Sequence, residues 1–407
     1  MQEIFIVGIG MGNVGGITLE ARQMIESCGA IAGAGRMLEL VDHFNFSNPP
    51  KLLAAYQPEK IKAWAEEIEE ERIAILLSGD VGFYSGAKQF QGVFRKAQLH
   101  YIPGISSVVY FCSKLQLPWE DVCLASLHGR TCNAIQLIQR NPKTFFLLSG
   151  AHGLQTLSEK LKYYHLEQVL LHVGQRLSYA NEKIQTLQVE EWDERQWEGG
   201  QWDNLLVVLV ENPNAKDYVQ LSIADADFIR DQVPMTKQEV RTVAIGKLGL
   251  TKDAVVYDIG AGSGSVAIEI ALQSPYIQVY AIEKEPLACA VLEKNRQKFA
   301  ADNVEIQKGF APERLADLPA PTHVFIGGSS GKLQEILQEI FGKNPRAKVV
   351  LDTVSLDTLN AILNLAKQHR DWQLDVTQLQ VAKARQLGNY QMMMGQNPVY
   401  VIAVTVK

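Results

Sequence analysis

The sequence predicts an α/β protein of two domains, on three observations. Short apolar runs alternate with helical patterns from residue 4 to about 210: IFIV (4–7), IAILL (73–77), TFFLL (144–148), QVLLHV (168–173) and LLVVLV (205–210). A second alternation begins further on with a different first motif, VVYDIGAGSGSVAIEIA (255–271). Between them lies the polar stretch ENPNAKDYVQLSIADADFIRD (211–231), which places a boundary near residue 213 and divides the chain into residues 1–212 and 213–407. At roughly 100 to 200 residues per domain, 407 residues accommodate two. No repeat with a period of about 20–50 residues and no low-complexity tract is visible, so a solenoid is not expected.

Composition narrows the function classes. Charged residues are 21% of the chain and mixed in sign, which excludes the disordered and coiled-coil classes. The 39 Lys+Arg against 45 Asp+Glu give a net charge of −6, which argues against a non-specific nucleic-acid binder. The longest apolar runs are strand-sized, far below the ~18 residues of a spanning helix, so no membrane segment is expected. Glu3 leads straight into an apolar strand without a basic region or a long apolar one, and a cytoplasmic chain is expected. Five scattered cysteines (28, 112, 123, 132, 289) suit reduced thiols and offer no zinc site; no protein-bound metal is expected.

In the C-terminal half, Asp258 and the alternate Gly260, Gly262 and Gly264 stand between a strand and an apolar-periodic helix. Glycine allows a tight turn and close approach to a ligand, and the helix start behind it favours an anion. QVYAIE (278–283) ends in Glu283, about twenty residues beyond the glycines, where a carboxylate can accept from ribose hydroxyls. The pattern calls for a nucleoside-containing cofactor, either NAD or S-adenosylmethionine.

D-x-G-x-G-x-G with an acidic strand end resembles motifs I and II of the class I methyltransferases, which favours S-adenosylmethionine. WQLDVTQLQV (372–381) and NPVYVIAVTV (397–406) read as the antiparallel pair that closes such folds. PMTKQEVR (234–241), DIGAGSGSVAIE (258–269), GFAPE (309–313), LPAPTHVFIGGSSG (318–331) and NPVYVIAV (397–404) resemble the decarboxylating C15-methyltransferases of precorrin-6B over residues 225–407. By that resemblance Ala311 belongs to the cofactor site, and Thr236, Lys237, Arg241, Gly327 and Gly328 to the substrate site. Other readings stand beside it. Thr236 and Glu239 form an S/T-x-x-E capping box, so PMTKQEVR also reads as a helix start. Lys237 and Arg241, four apart, share a face that either meets substrate carboxylates or is solvated. Phe310 stands where the family usually has Asp. NPVY also looks like the N/D-P-P-Y motif of amino-methylating enzymes, but it falls in the last strand, whereas that motif follows the fourth.

In the N-terminal half, IFIVGIGMG (4–12) puts Gly8, Gly10 and Gly12 after a strand. With LSGDVGFYSGA (77–87), IPGISSV (102–108), LHGR (127–130) and VGQRLSYANEKI (173–184) it resembles the tetrapyrrole methylases over residues 1 to about 210. The resemblance implies a two-lobed fold whose methyl donor contacts Gly79, Asp80, Gly104, Ser106 and Ser107. His128 and Arg130 read as a loop histidine and a surface arginine, or as substrate-pocket residues. Val81 and Met11 replace prolines common in that family.

Together the halves resemble the bifunctional, decarboxylating precorrin-6B C5,15-methyltransferases of cobalamin biosynthesis: a tetrapyrrole methylase domain joined to a Rossmann-like class I methyltransferase domain. The resemblance implies S-adenosylmethionine as donor, a polycarboxylate precorrin as substrate, no nucleic-acid partner and a homo-oligomer. Binding many carboxylates calls for local cations, for which Lys237, Arg241, Lys332 and Arg385 are candidates in one domain, and Arg130 and Arg176 in the other. An RNA methyltransferase acting on tRNA adenine is the competing reading.

Overall fold

The computed structural model describes residues 2–191, 204–216 and 221–407. Two compact units emerge. One comprises Met1–Arg130, Asn141–Lys162 and Leu166–Asn214; the other comprises Thr131–Arg140, Tyr163–His165 and Ala215–Lys407. Of the polar stretch 211–231, residues 217–220 lie outside the described residues.

The first unit holds two five-stranded sheets. Strands β1 (Glu3–Gly8), β2 (Ala30–Gly33), β3 (Lys51–Ala54), β4 (Arg72–Leu77) and β5 (Gln98–Ile102) form an all-parallel sheet in the order β3-β2-β4-β1-β5. Strands β6 (Cys123–Ser126), β7 (Lys143–Leu147), β8 (Leu170–Gln175), β9 (Lys183–Gln188) and β10 (Leu206–Glu211) form a mixed sheet in the order β6-β7-β10-β8-β9. The central strands are continuous apolar runs because both faces are covered.

The second unit has one seven-stranded sheet. It contains β11 (Val255–Ile259), β12 (Gln278–Glu283), β13 (Val304–Lys308), β14 (His323–Ile326), β15 (Lys348–Thr353), β16 (Trp372–Leu379) and, beyond a hairpin of β17 (Ala382–Leu387) and β18 (Tyr390–Gly395), β19 (Val399–Val406). The order is β13-β12-β11-β14-β15-β19-β16. The first five strands are parallel, and β19 pairs antiparallel with both β15 and β16, the closing pair the sequence predicts. Alternate residues face opposite layers. Val256, Phe325 and Val350 pack with Val240 and Ala244 of the helix Gln238–Leu248, whereas Tyr257, Ile326 and Leu351 pack with Ile336 and Ile340 of the helix Leu333–Lys343. No helix among the described residues is long and apolar enough to cross a membrane.

Candidate active site

A cleft of about 740 Å³ opens at the carboxyl ends of β11, β12, β14 and β15, where open α/β sheets present their loops to ligands. Asp258, Gly260, Gly262, Glu283, Ala311, Gly327, Gly328, Thr236 and Lys237 all line it.

The glycines have distinct tasks. Gly260 has φ +73°, and a Cβ there would stand 2.9 Å from the backbone N and O of Gly328. The first and fourth strand ends therefore touch through backbone alone. Gly262, at φ +56°, would press on the Pro234 carbonyl. Gly264 does not line the cleft, a correction to its expected role. It lies at the start of the helix Ser265–Ala271 with φ +81°, and a Cβ would meet Leu292 at 2.6 Å, so it serves packing.

Glu283 is only 7% exposed. Its Oε2 accepts from the Gly262 N–H at 2.8 Å, and its Oε1 accepts from the N–H groups of Lys284 (2.7 Å) and Glu285 (2.8 Å). The carboxylate thus holds the glycine loop as well as facing the cleft. Asp258 is 1% exposed; its Oδ2 accepts from the Ala267 N–H at 2.9 Å and its Oδ1 has no partner among the described residues. Burial pushes its carboxyl up to about 7, with Asp352 and Glu283 adding to the rise against the pull of the Ala267 N–H. Phe310, 52% exposed, lines the cleft with the Lys284 ammonium 5.2 Å from its ring centre.

Three expectations for the PMTKQEVR segment are corrected. The capping box does not form, because the helix begins one residue late. Lys237 is the N-cap, Thr236 Oγ1 donates to Asp352 Oδ2 at 3.2 Å, and Glu239 pairs with Lys383. Lys237 and Arg241 do not share a face, since Lys237 precedes the helix and lines the cleft. Arg241 is 0% exposed and contacts neither substrate space nor solvent. Its guanidinium donates to the carbonyls of Thr236 (2.7 Å) and Ile223 (2.6 Å) and to Asp225 (3.2 Å), and its Nε lies 2.8 Å from Glu269 Oε1. A buried cation held by two carbonyls and two carboxylates of its own chain is a structural element. Lys332 and Arg385 also lie outside the cleft. Lys332 pairs with Glu313, and Arg385 is on the exposed β17.

Sequence reasoning missed Asp352, Thr353, Gln396 and Asn397, which line the same cleft. Asn397 belongs to NPVY; Val399 and Tyr400 lie in the last strand as expected, but Asn397 stands at the site. The available signal for Asp352 was an acid at the end of the apolar run KVVLD, the position Glu283 holds in β12.

In the first unit the carboxyl ends of β1, β4 and β5 converge. Gly10 and Gly79 exchange backbone hydrogen bonds, and a Cβ at Gly104 would stand 2.3 Å from the Gly79 carbonyl. These glycines let three loops abut. Asp80 fixes them, its Oδ1 accepting from Gly82 N–H (2.7 Å) and its Oδ2 from Gly104 N–H (3.1 Å). Ser106 caps the helix Ser107–Leu115, accepting from the Val109 N–H, and Ser107 is buried in its first turn. His128 and Arg130 are exposed, His128 Nδ1 lying 3.4 Å from Ser149 Oγ and the Arg130 guanidinium 5.1 Å from the Tyr84 ring centre. Arg176 stacks at 5.4 Å over Tyr179, whose hydroxyl accepts from Arg36.

Comparison with known proteins accounts for both units. Residues 3–193 match the model of the tetrapyrrole (corrin/porphyrin) methylases, and residues 227–406 match that of the precorrin methyltransferase domain. The chain is 38% identical to a probable cobalt-precorrin-6B C(15)-methyltransferase (decarboxylating) of Pyrobaculum calidifontis, over 46% of this chain and 96% of that one. It is 38% identical to the cobalt-precorrin-6B C(15)-methyltransferase (decarboxylating) of Salmonella typhimurium, over 44% of this chain and 93% of that one. Precorrin-6Y C(5,15)-methyltransferase [decarboxylating] of a Sinorhizobium species is 28% identical across 88% of this chain and 86% of its own. The two domain matches in sequence order, with a relative that spans both, place this chain in the family of decarboxylating precorrin C5,15-methyltransferases.

Proposed function

We propose that the chain methylates a precorrin at C5 and C15 and removes the carboxyl group of the C12 acetate, in cobalamin biosynthesis in the cytoplasm, with S-adenosylmethionine as donor. Residues 1–212 carry the C5 reaction, and residues 213–407 the C15 reaction and the decarboxylation. The observation that carries the reading is the glycine-lined cleft between Glu283 and Lys237: an acceptor for sugar hydroxyls at one end and a cation for a carboxylate at the other. Where a Cβ would strike backbone, only glycine lets a ligand approach, and the unpartnered Oδ1 of Asp258 leaves an acceptor there.

The donor supplies an electrophilic methyl group. The chain's residues need only orient and desolvate the acceptor carbon, which the macrocycle nitrogens make nucleophilic. Glu283, Gly260, Gly262 and Ala311 would hold the donor in the second unit, with Phe310 presenting an aromatic face where the family usually has Asp. Gly79, Asp80, Gly104, Ser106 and Ser107 would do so in the first. Lys237, Thr236, Gly327 and Gly328 would meet the substrate beside β14, and His128, Arg130 and Arg176 in the first unit.

The full chain, a precorrin and labelled donor test this. Asp80→Ala removes the acceptor of two backbone N–H groups and should slow C5 methylation at least tenfold, about 1.4 kcal/mol, while sparing C15. Gly262→Val should do the reverse. Equal loss of both methylations in either variant would refute the division of labour.

A homo-oligomer is part of the proposal. Among the described residues β17 and β18 pair with no other strand, and both are exposed throughout, although a two-stranded ribbon is marginal in water. Leu387, Tyr390, Met392 and Met394 share one of its faces with Lys383 and Arg385, and these exposed apolar side chains suit a second copy. Met392→Asp should shift the molecular mass by light scattering towards the monomer; an unchanged mass would remove the ribbon from the interface.

A further inference from the structure

Converting an acetate side chain into a methyl group consumes a proton. The bond from the methylene carbon to the carboxylate carbon breaks, CO₂ leaves, and the bonding pair passes into the conjugated macrocycle. The pair returns to the methylene carbon as a C–H bond, so R–CH₂–CO₂⁻ and H⁺ give R–CH₃ and CO₂. Until that proton arrives the loss of CO₂ can reverse. An acid is therefore needed on the acceptor side of the cleft.

Sheet order identifies that side. Glu283 ends β12 and the glycine loop follows β11, so the donor is expected at those two strands. Asp352, the next-to-last residue of β15, lies three strand positions from Glu283, about 14 Å at roughly 4.8 Å per strand. Its side chain has the parity of Val350 and therefore faces the layer that Asp258 faces, towards the segment leading into the helix Gln238–Leu248. There the Thr236 hydroxyl donates to it, and Lys237 follows immediately.

Of the three buried or half-buried carboxylates lining the cleft, Asp352 is the one on the acceptor side. Both oxygens of Glu283 are taken by three backbone N–H groups. Asp258 is held by the Ala267 N–H at the start of the glycine-loop helix, on the donor side. Asp352 is half-buried, its side-chain partner is a neutral hydroxyl, and no cation among the described residues lies within ion-pair distance. Burial pushes its carboxyl up to about 6, against the Thr236 bond, so about a tenth keeps its proton at pH 7, far more than an ordinary aspartate would.

We propose that Asp352, positioned by Thr236, is the acid that delivers the proton to the methylene carbon during decarboxylation; this rests on the functional reading above. Lys237 then stands beside the departing carboxylate or its neighbour and fixes the side chain to be cleaved.

The test uses the full chain in single turnover with precorrin-6B and S-adenosylmethionine, following CO₂ and the mass of each product. Asp352→Asn keeps the shape and removes the acid. Formation of the decarboxylated product should slow at least a hundredfold, the lower end of general acid catalysis at roughly 10²–10⁴, with C5 methylation retained. Asp352→Glu should recover part of the rate. Wild-type product formation should fall about tenfold per pH unit above the carboxyl's pKa and become flat in Asp352→Asn. The other titratable groups lining the cleft, Lys237, Asp258, Glu283, Lys284 and Glu285, are present in both proteins and cancel in that comparison. An Asp352→Asn protein within threefold of wild type overturns the assignment, as does one that has lost donor binding by calorimetry, which would make Asp352 structural. A wild-type chain that methylates but releases no CO₂ overturns the functional reading itself.

Discussion

Arg241→Ala is expected to destabilise the second unit by about 3–5 kcal/mol, the cost of removing one partner of a buried ion pair. The guanidinium ties three pieces together: the segment around Ile223 and Asp225, the turn at Thr236, and Glu269 in the helix Ser265–Ala271. Phe228 covers it, the ring centre 5.0 Å away. Without it Glu269, 2% exposed, keeps only the Ile223 N–H, and burial already raises its pKa despite Arg241. C15 methylation should disappear because the unit opens, with no separate change in substrate affinity. Replacing both residues, Arg241→Met with Glu269→Met, should recover much of the loss, since no unpaired charge remains. Urea denaturation of the full chain, with hydrogen exchange locating the transition, measures this. An unchanged midpoint with selective loss of substrate binding would return Arg241 to the substrate site.

What the sequence made legible follows burial. LLVVLV and VVYDI read as strands because both faces are covered, so the runs stay apolar except at Asp258, which serves the site. AKARQL and YQMMMG were not read as strands because every residue is exposed and no alternation marks a buried face. Gly260, Gly262 and Glu283 were legible as a site because a ligand loop constrains spacing locally. Arg241 was misread because its fate depends on Glu269, twenty-eight positions along and on another helix. The clue was Glu269 itself, a lone acid in SVAIEIA whose residues are all buried, which demands a partner. Asp352 was passed over because no motif surrounds it; only the sheet order brings β15 beside β14 and into the cleft.

Glu283→Ala should weaken donor binding in the second unit roughly ten- to a hundredfold, and Glu283→Gln should do no better. A carboxylate offers about four acceptor positions, and three are occupied by the N–H groups of Gly262, Lys284 and Glu285. About one remains for a ribose hydroxyl, and a charge-assisted bond of this kind is worth about 1.5–3 kcal/mol. Alanine removes that bond and the acceptor that closes the glycine loop. Glutamine keeps the size but not the pattern. Both oxygens of Glu283 face backbone donors, so either orientation of the amide turns its NH₂ against an N–H, and the loop is pushed open instead of held. Calorimetry on the full chain separates the two donor sites: the event belonging to the second unit should weaken in both variants while the other is unchanged. Wild-type affinity in Glu283→Gln would mean that a neutral acceptor suffices, and that the three backbone bonds do not shape the donor site.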